Sequence, residues 1–217
     1  MDRVALLRAA HAPLLDLADG IDEDTGWRPT RLPGWTVRDL LFHLAGDSQR
    51  ALVALHTPAD TPPDTDEVSY RSRWEPGTPG ARDGLRGTRI QASAWSSVRG
   101  PAELYAETAR AVLVAAETTH PDEVVTTQGH RLTAGSLLST LAVEAAVHQL
   151  DLDPVLGPPS GEALDEVGRV LDALLGRPRP AGIDPVRWAR VGTGREQLIE
   201  PERAELGDLA ARLPLFG

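Results

Sequence analysis

The sequence predicts a mainly α-helical protein: a helical bundle followed by a small irregular α/β extension at its C-terminal end. Apolar residues recur at helical spacing in five segments of the 217-residue chain, and one short strand is predicted near its end. The length suits one domain, or one domain with a short appendage. The chain shows no internal repeat and no low-complexity region, so a single bundle accounts for most of it.

The first two predicted helices cover residues 2–19 and 36–55. In the first, apolar residues form one stripe, and His11 lies within that stripe. The second begins with a capping-box pattern from Thr36 to Asp39, which marks the start of a helix.

Three further helices are predicted at residues 101–118, 133–150 and 164–175. Pro101 suits the first turn of the third helix, because a proline there loses no intrahelical hydrogen bond. Gly176 and the proline-rich residues after it end the fifth helix.

The long segment 56–100 between the second and third helices has the composition of turns. Its second half, residues 81–98, shows a helical pattern that two glycines weaken. A loop of this length inside a compact domain is usually functional or mobile. We therefore expect this segment to form a lid or wall over a binding site.

The chain is predicted to divide into a bundle, residues 1–155, and a C-terminal extension, residues 156–217, that packs on it. The extension has a strand-like pattern at 186–191 and a last helix at 201–212.

Composition excludes several classes of function. The 32 acidic and 22 basic residues give a net charge of −10, which disfavours binding to nucleic-acid phosphates. The chain has no cysteine, so it can form no disulfide, thiol nucleophile or thiolate metal site. Its charged N-terminal segment and short apolar runs indicate neither a secretory signal nor a membrane span. We expect a cytoplasmic protein.

All 22 basic residues are arginine, and lysine and asparagine are both absent. No physical requirement explains this bias, since lysine serves well on a solvated helix. GC-rich coding does explain it, and actinobacteria are the leading candidate source.

Glu144 and His148 are four residues apart on the fourth predicted helix, so they share one face. That face is the apolar stripe that contains Leu137 and Leu141. A carboxylate buried there needs a partner or a metal ion, and the pair can offer two ligands to one divalent ion. The spacing leaves three alternatives: a metal site, a buried Glu–His hydrogen bond, and a helix rotated so that both residues face solvent.

His43 on the second helix is the candidate for a third ligand. It lies at the border of the apolar arc, with Asp39 and Asp47 one turn away on either side. Such carboxylates orient an imidazole or join the ligand set. An ordinary surface or interface histidine is the alternative. His11 fits a core histidine best, with a pocket-lining role as the second interpretation.

Two motifs resemble those of a known family. GWTVRDLLFHLAG at residues 34–46 is similar to the second-helix signature of mycothiol-dependent maleylpyruvate isomerase-like proteins, which belong to the DinB-like superfamily of metal-binding four-helix bundles. EAAVHQLDL at residues 144–152 resembles the fourth-helix signature Glu-x-x-x-His-x-x-Asp-Leu. The resemblance is good over residues 1–155 and patchy over 56–100 and 176–217.

The resemblance implies a DinB-like four-helix bundle with a metal centre. Its implied ligands are His43, Glu144 and His148, which leave open positions for water or a thiolate, and zinc is the expected ion. In the family's namesake the metal activates the thiol of mycothiol, so mycothiol is the expected cosubstrate. Asp151 belongs to the second motif and is a candidate second-layer residue. Arg195 corresponds to an arginine that contacts the substrate anion, with a surface arginine as the alternative.

The implied activity is transfer of the thiol to an electrophilic small molecule, or cis–trans isomerisation through the thiol adduct. The short tail argues against maleylpyruvate isomerisation itself. Two alternatives stay open. One is a non-catalytic bundle that binds a metal or small ligand. The other is a thiol-independent metal hydrolase with Asp39 or Asp47 as the base.

The pocket walls are expected from the segment 56–100. Its Arg71, Arg73, Trp74 and Trp95 offer cationic and aromatic contacts to an anionic or sugar-bearing ligand, or they only pin the segment to the bundle. The expected partners are a small thiol and an electrophile, with no nucleic acid and no membrane. We expect a monomer or homodimer.

Overall fold

The computed structural model describes residues 2–71, 79–153 and 155–216, and the mainly α-helical prediction is confirmed. The helices, in chain order, are α1 (Arg3–Gly20), α2 (Glu23–Gly26), α3 (Val37–Leu55), α4 (Pro79–Ala92), α5 (Arg99–Thr118), α6 (Ala134–Asp151), α7 (Gly161–Leu175), α8 (Pro185–Gly192) and α9 (Glu200–Leu206). A 3-10 helix (Gly207–Arg212) follows α9, and strands β1 (Val124–Thr127) and β2 (His130–Thr133) precede α6.

The four long helices α1, α3, α5 and α6 surround the core. Helix α1 packs against α5 and α6, and α3 packs against the same two helices. Helix α6 is buried along nearly its whole length, because α1, α3 and α7 all contact it. Any charged side chain on α6 therefore needs a partner supplied by the protein or by a ligand.

Side-chain caps start the two helices that carry the candidate ligands. The Asp39 carboxylate accepts hydrogen bonds from the Thr36 backbone N–H at 2.9 Å and from the Thr36 hydroxyl at 2.8 Å. This is the predicted capping box of α3. At α6, the Thr133 hydroxyl accepts from the Ser136 backbone N–H at 3.1 Å.

A short antiparallel hairpin, which sequence analysis missed, leads directly into α6. Its two turn residues, Gln128 and Gly129, have φ angles of 48° and 79°. Positive φ at both positions is typical of the turns whose twist matches a hairpin. A bridge between Pro58 and Val125 ties β1 to the segment after α3.

The strand predicted at residues 186–191 is wrong, because these residues form α8. Asp184 caps the helix and Pro185 occupies its first turn, a strong start signal that outweighs the alternating pattern. The helix packs closely on α7: a Cβ atom on Gly192 would lie 2.7 Å from the Leu171 side chain. The extension is thus helical, and the described strands lie before α6 instead.

Helix α4 occupies the region where the pattern at 81–98 indicated a helix, and it contacts α3. Helix α7 packs against α6 and α1. The division at residue 155 into a bundle and an extension stays a prediction. Within the described ranges, no helix is both long enough and apolar enough to cross a membrane.

Candidate metal centre

Three side chains from two helices converge beside the core. His43 comes from α3, and Glu144 and His148 come from α6. One ligand atom from each lies within 4.8 Å of the other two. The rings of His43 and His148 meet edge to face with centroids 4.8 Å apart, and Glu144 Oε2 lies 3.5 Å from His148 Nε2. These are the residues that the resemblance implied as ligands.

His148 is oriented by a carboxylate from the end of the same helix. Its Nδ1 lies 2.9 Å from Asp151 Oδ2, and the Asp151 side chain is fully buried. Arg195 donates to Asp151 through Nε at 3.1 Å and Nη2 at 2.9 Å. Burial would raise the pKa of Asp151, but the hydrogen bond from His148 and the charge of Arg195 lower it. An ionised Asp151 makes Nδ1 the hydrogen-bond donor, which leaves the Nε2 lone pair of neutral His148 for a metal ion.

Glu144 is held by an arginine from the segment after α3. Arg71 donates through Nη1 to Glu144 Oε1 at 2.5 Å and through Nη2 to the Thr140 carbonyl oxygen at 2.6 Å. Burial acts to raise the pKa of Glu144, but Arg71 and the two imidazoles lower it to about 2. Glu144 is therefore a carboxylate at neutral pH.

His43 packs between an aromatic ring and a carboxylate. Trp35 contacts it edge to face with centroids 5.5 Å apart, and Asp47 Oδ2 lies 3.3 Å from its Nε2. Burial lowers the pKa of His43, although Asp47 acts in the opposite direction. Asp47 Oδ1 pairs with Arg50, whereas its buried Oδ2 accepts no hydrogen bond from the described residues.

This donor set fits a divalent metal ion. Two imidazoles and a carboxylate are a ligand set of catalytic zinc sites, which keep a further position open. His43 favours the neutral form that metal binding requires, and Glu144 favours the ionised form. Glu144 and Asp47 each pair one oxygen with an arginine and direct the other oxygen toward an imidazole.

A cavity of about 820 Å³ opens from the cluster. All three candidate ligands line it, together with apolar side chains that include Trp35, Val147 and Phe216. Its size and mixed lining suit a small-molecule ligand.

Among the described residues, four arginines line the cavity, and each pairs with a carboxylate: Arg31 with Asp153, Arg50 with Asp47, Arg71 with Glu144, and Arg195 with Asp151. The contact seen for Arg195 is therefore internal and holds the residue that orients His148. Its contact with a substrate anion stays a prediction.

Two of the sequence-predicted site residues lie elsewhere. Asp39 caps α3 and is absent from the described cavity lining, and its expected role beside His43 stays a prediction. His11 is buried between α1 and α5, with Nδ1 2.7 Å from the Tyr105 hydroxyl. His11 is the core histidine that its position on the apolar stripe favoured, and the pocket interpretation is corrected.

The residues expected to form a lid divide into three groups. Arg71 lines the cavity and contacts Glu144. Trp95 is partly exposed and lies outside the described lining. Arg73 and Trp74 lie outside the described residues, so their expected contacts stay predictions.

Sequence reasoning missed several cavity residues, among them Tyr70, Gln128, Thr193 and Phe216. Gln128 stands in a hairpin that two four-residue strands signal only weakly. Phe216 is one of only two phenylalanines and stands in a Leu-Pro-Leu-Phe run, an apolar cluster that marks a docked segment.

Comparison with known proteins identifies the family. The family model described as the mycothiol maleylpyruvate isomerase N-terminal domain matches residues 7–153. Two solved structures, of mycothiol-dependent maleylpyruvate isomerase and of a histidine-to-alanine mutant of it, are similar in fold, with TM-scores of 0.61. They share 16% and 15% sequence identity with this chain, and each alignment covers 90% of this chain and 89% of the other. No curated protein matches the chain in sequence. The match over residues 7–153 shows that the chain belongs to the mycothiol maleylpyruvate isomerase N-terminal domain family.

Proposed function

We propose that this protein is a metal-dependent enzyme that uses mycothiol, or a related low-molecular-weight thiol. It transfers the thiol to an electrophilic small molecule or isomerises such a molecule through the thiol adduct. The observation that carries the proposal is the cluster of His43, Glu144 and His148 on the wall of a large cavity. Because the chain contains no cysteine, the thiol has to come from a cosubstrate.

His43, Glu144 and His148 would hold a divalent metal ion, with zinc as the expected metal. When bound, such an ion lowers the pKa of a coordinated thiol so that the thiolate predominates at neutral pH. The protein's own contribution is orientation. Asp151 directs Nε2 of His148 toward the site, and Arg71 holds one oxygen of Glu144.

The cavity volume of about 820 Å³ lies in the range of small-molecule sites. In the transfer reaction the thiolate sulfur forms a bond to an activated alkene carbon, the π bond opens, and the neighbouring carbon takes a proton. In the isomerisation, rotation about the resulting single bond precedes cleavage of the S–C bond, which returns the thiol unchanged. Both outcomes require the thiol and the alkene to lie side by side in the cavity.

A calorimetric titration of mycothiol into the metal-loaded protein tests the proposal. The parent is expected to bind, and His148→Ala is expected to lose binding together with the metal. His120→Ala is the matched control, because the His120 side chain is 73% exposed and lies outside the described cavity lining. A metal-loaded parent that binds neither mycothiol nor any other low-molecular-weight thiol would refute the proposal.

The second candidate is a thiol-independent metal hydrolase. Asp47 favours it, because one of its carboxylate oxygens is buried beside the candidate ligand His43 and accepts no hydrogen bond from the part of the chain that the structure describes. Such an oxygen can accept a proton from water. Ester or amide hydrolysis by the metal-loaded protein without any thiol, lost in Asp47→Asn, would favour this alternative over thiol transfer.

A further inference from the structure

The C-terminal segment reaches the candidate metal centre. The Leu215 backbone N–H donates to the Gly192 carbonyl oxygen at 2.8 Å, which fixes the segment beside the end of α8. The next residue, Phe216, is only 3% exposed and lines the cavity. The aromatic side chain of the C-terminal segment is thus a buried part of the cavity wall.

The Phe216 ring packs on the guanidinium group of Arg71. The guanidinium carbon lies 4.9 Å from the ring centroid, within the range of a cation–π contact. Arg71 is 6% exposed, and its two terminal nitrogens donate hydrogen bonds to Glu144 Oε1 and to the Thr140 carbonyl oxygen. Its Nε is buried without a hydrogen-bond partner in the described structure. The aromatic face therefore supplies part of the stabilisation that this buried cation otherwise lacks.

Arg71 in turn determines which oxygen of Glu144 is available. Oε1 is taken by the guanidinium at 2.5 Å, whereas Oε2 faces Nε2 of His148 at 3.5 Å. Oxygen and nitrogen ligands bound at about 2.0–2.1 Å in a tetrahedral site lie roughly 3.3 Å apart. Oε2 and Nε2 are thus already spaced for one shared ion, and Arg71 keeps Oε1 away from it.

We propose that Phe216 is a positioning residue for the metal centre: it holds Arg71 in place, and Arg71 holds Glu144 with a single oxygen free for the metal ion. The inference rests on the metal site of the proposed function. It adds that the C-terminal segment tunes metal affinity through a three-residue relay. Partners one layer behind a metal ligand commonly change affinity when they are substituted.

Metal affinity measured on the purified apoprotein tests the relay. Phe216→Leu keeps an apolar side chain but removes the aromatic face, and it is expected to weaken Zn²⁺ binding about fivefold in competition with a chromogenic chelator. Phe216→Tyr retains the face and should bind as the parent does. The absorption spectrum of Co²⁺ in the same variants reports the ligand geometry, and it should change in Phe216→Leu alone.

Leu206→Ala is the matched control, because Leu206 is a buried residue of α9 outside the described cavity lining. It should lower stability without changing Zn²⁺ affinity or the Co²⁺ spectrum. Equal affinities in Phe216→Leu and the parent, or an equal loss in Leu206→Ala, would overturn the inference. Mycothiol binding is measured separately: metal binding without thiol binding would refute the proposed function but leave the relay intact, whereas a parent that binds no metal would refute both.

Discussion

Lowering the pH should destabilise the protein through one core histidine. His11 is 4% exposed, and its Nδ1 pairs with the Tyr105 hydroxyl at 2.7 Å. Burial lowers the pKa of His11 from 6.5 to about 4. Between these two values the unfolded chain binds a proton at this position and the folded protein does not. The contribution of neutral His11 to the unfolding free energy is therefore fully present above pH 6.5. It falls as the pH drops to about 4, and below that pH His11 causes no further loss.

The size of the effect follows from that window. A pKa difference of one unit corresponds to about 1.4 kcal/mol for a single proton. The shift from 6.5 to about 4 therefore lowers the unfolding free energy by about 3 kcal/mol when the pH falls through this range. This is a large fraction of the roughly 5–15 kcal/mol that stabilises a typical domain. Other groups titrate over the same range, so the effect of His11 has to be isolated by comparison with a variant.

His11→Gln provides that comparison, because glutamine is uncharged and can still pair with the Tyr105 hydroxyl. Urea unfolding of the metal-free protein, followed from pH 7 to pH 4, gives the stability of the parent and the variant. The parent is expected to lose about 3 kcal/mol more than the variant over this range. The exposed residue His120, changed to Gln, should leave the profile of the parent unaltered. A stability difference between the parent and His11→Gln that is constant with pH would refute the reasoning.

Three further predictions concern the site and its surroundings. The parent should bind about one divalent ion per chain, and His43→Ala, Glu144→Ala and His148→Ala should each lower the metal content; full loading of all three variants would show that the ligand assignment is wrong. Metal affinity should fall as the pH drops below about 6, because an imidazole binds metal only when neutral, and the lowered pKa of His43 moves its share of the fall to more acidic pH; an affinity that stays flat throughout the acidic range would exclude the two histidines as ligands. Gln128→Asn should stabilise the fold by a few tenths to about 1 kcal/mol in urea unfolding, because asparagine adopts the positive φ of this turn more readily; a less stable variant would indicate that the Gln128 side chain makes a necessary contact.

Local patterns predicted helices α1, α3, α6 and α7, because each of them begins at a capping side chain. The capping box at Thr36 and the four-residue spacing of Glu144 and His148 are both visible in the sequence and present in the structure. The strand prediction at 186–191 was wrong because it gave too little weight to a helix start signal. Its alternating pattern was short, and the cap at Asp184 with the following proline was the stronger local signal.

Side-chain partnership was harder to predict than position. Asp39 and Asp47 are both one turn from His43, and spacing alone treats them alike. The structure separates them: the Asp39 carboxylate accepts a hydrogen bond from the Thr36 backbone N–H at the helix start, whereas Asp47 Oδ2 lies 3.3 Å from His43 Nε2. The capping-box pattern from Thr36 to Asp39 is the sequence signal that separates the two acids, whereas their spacing from His43 is equal.

The arginines of the site show where sequence reasoning reaches its limit. Glu144 is paired with Arg71, 73 positions earlier, and Asp151 with Arg195, 44 positions later. Both arginines belong to segments in which the family resemblance is patchy, whereas both acids belong to its fourth-helix motif. Arg71 and Arg195 compensate the charges of the two acids, and both come from segments outside the motif that contains those acids. An acidic motif of this kind therefore predicts a cationic residue in each segment that covers its acids. Only the fold shows which arginine pairs with which acid.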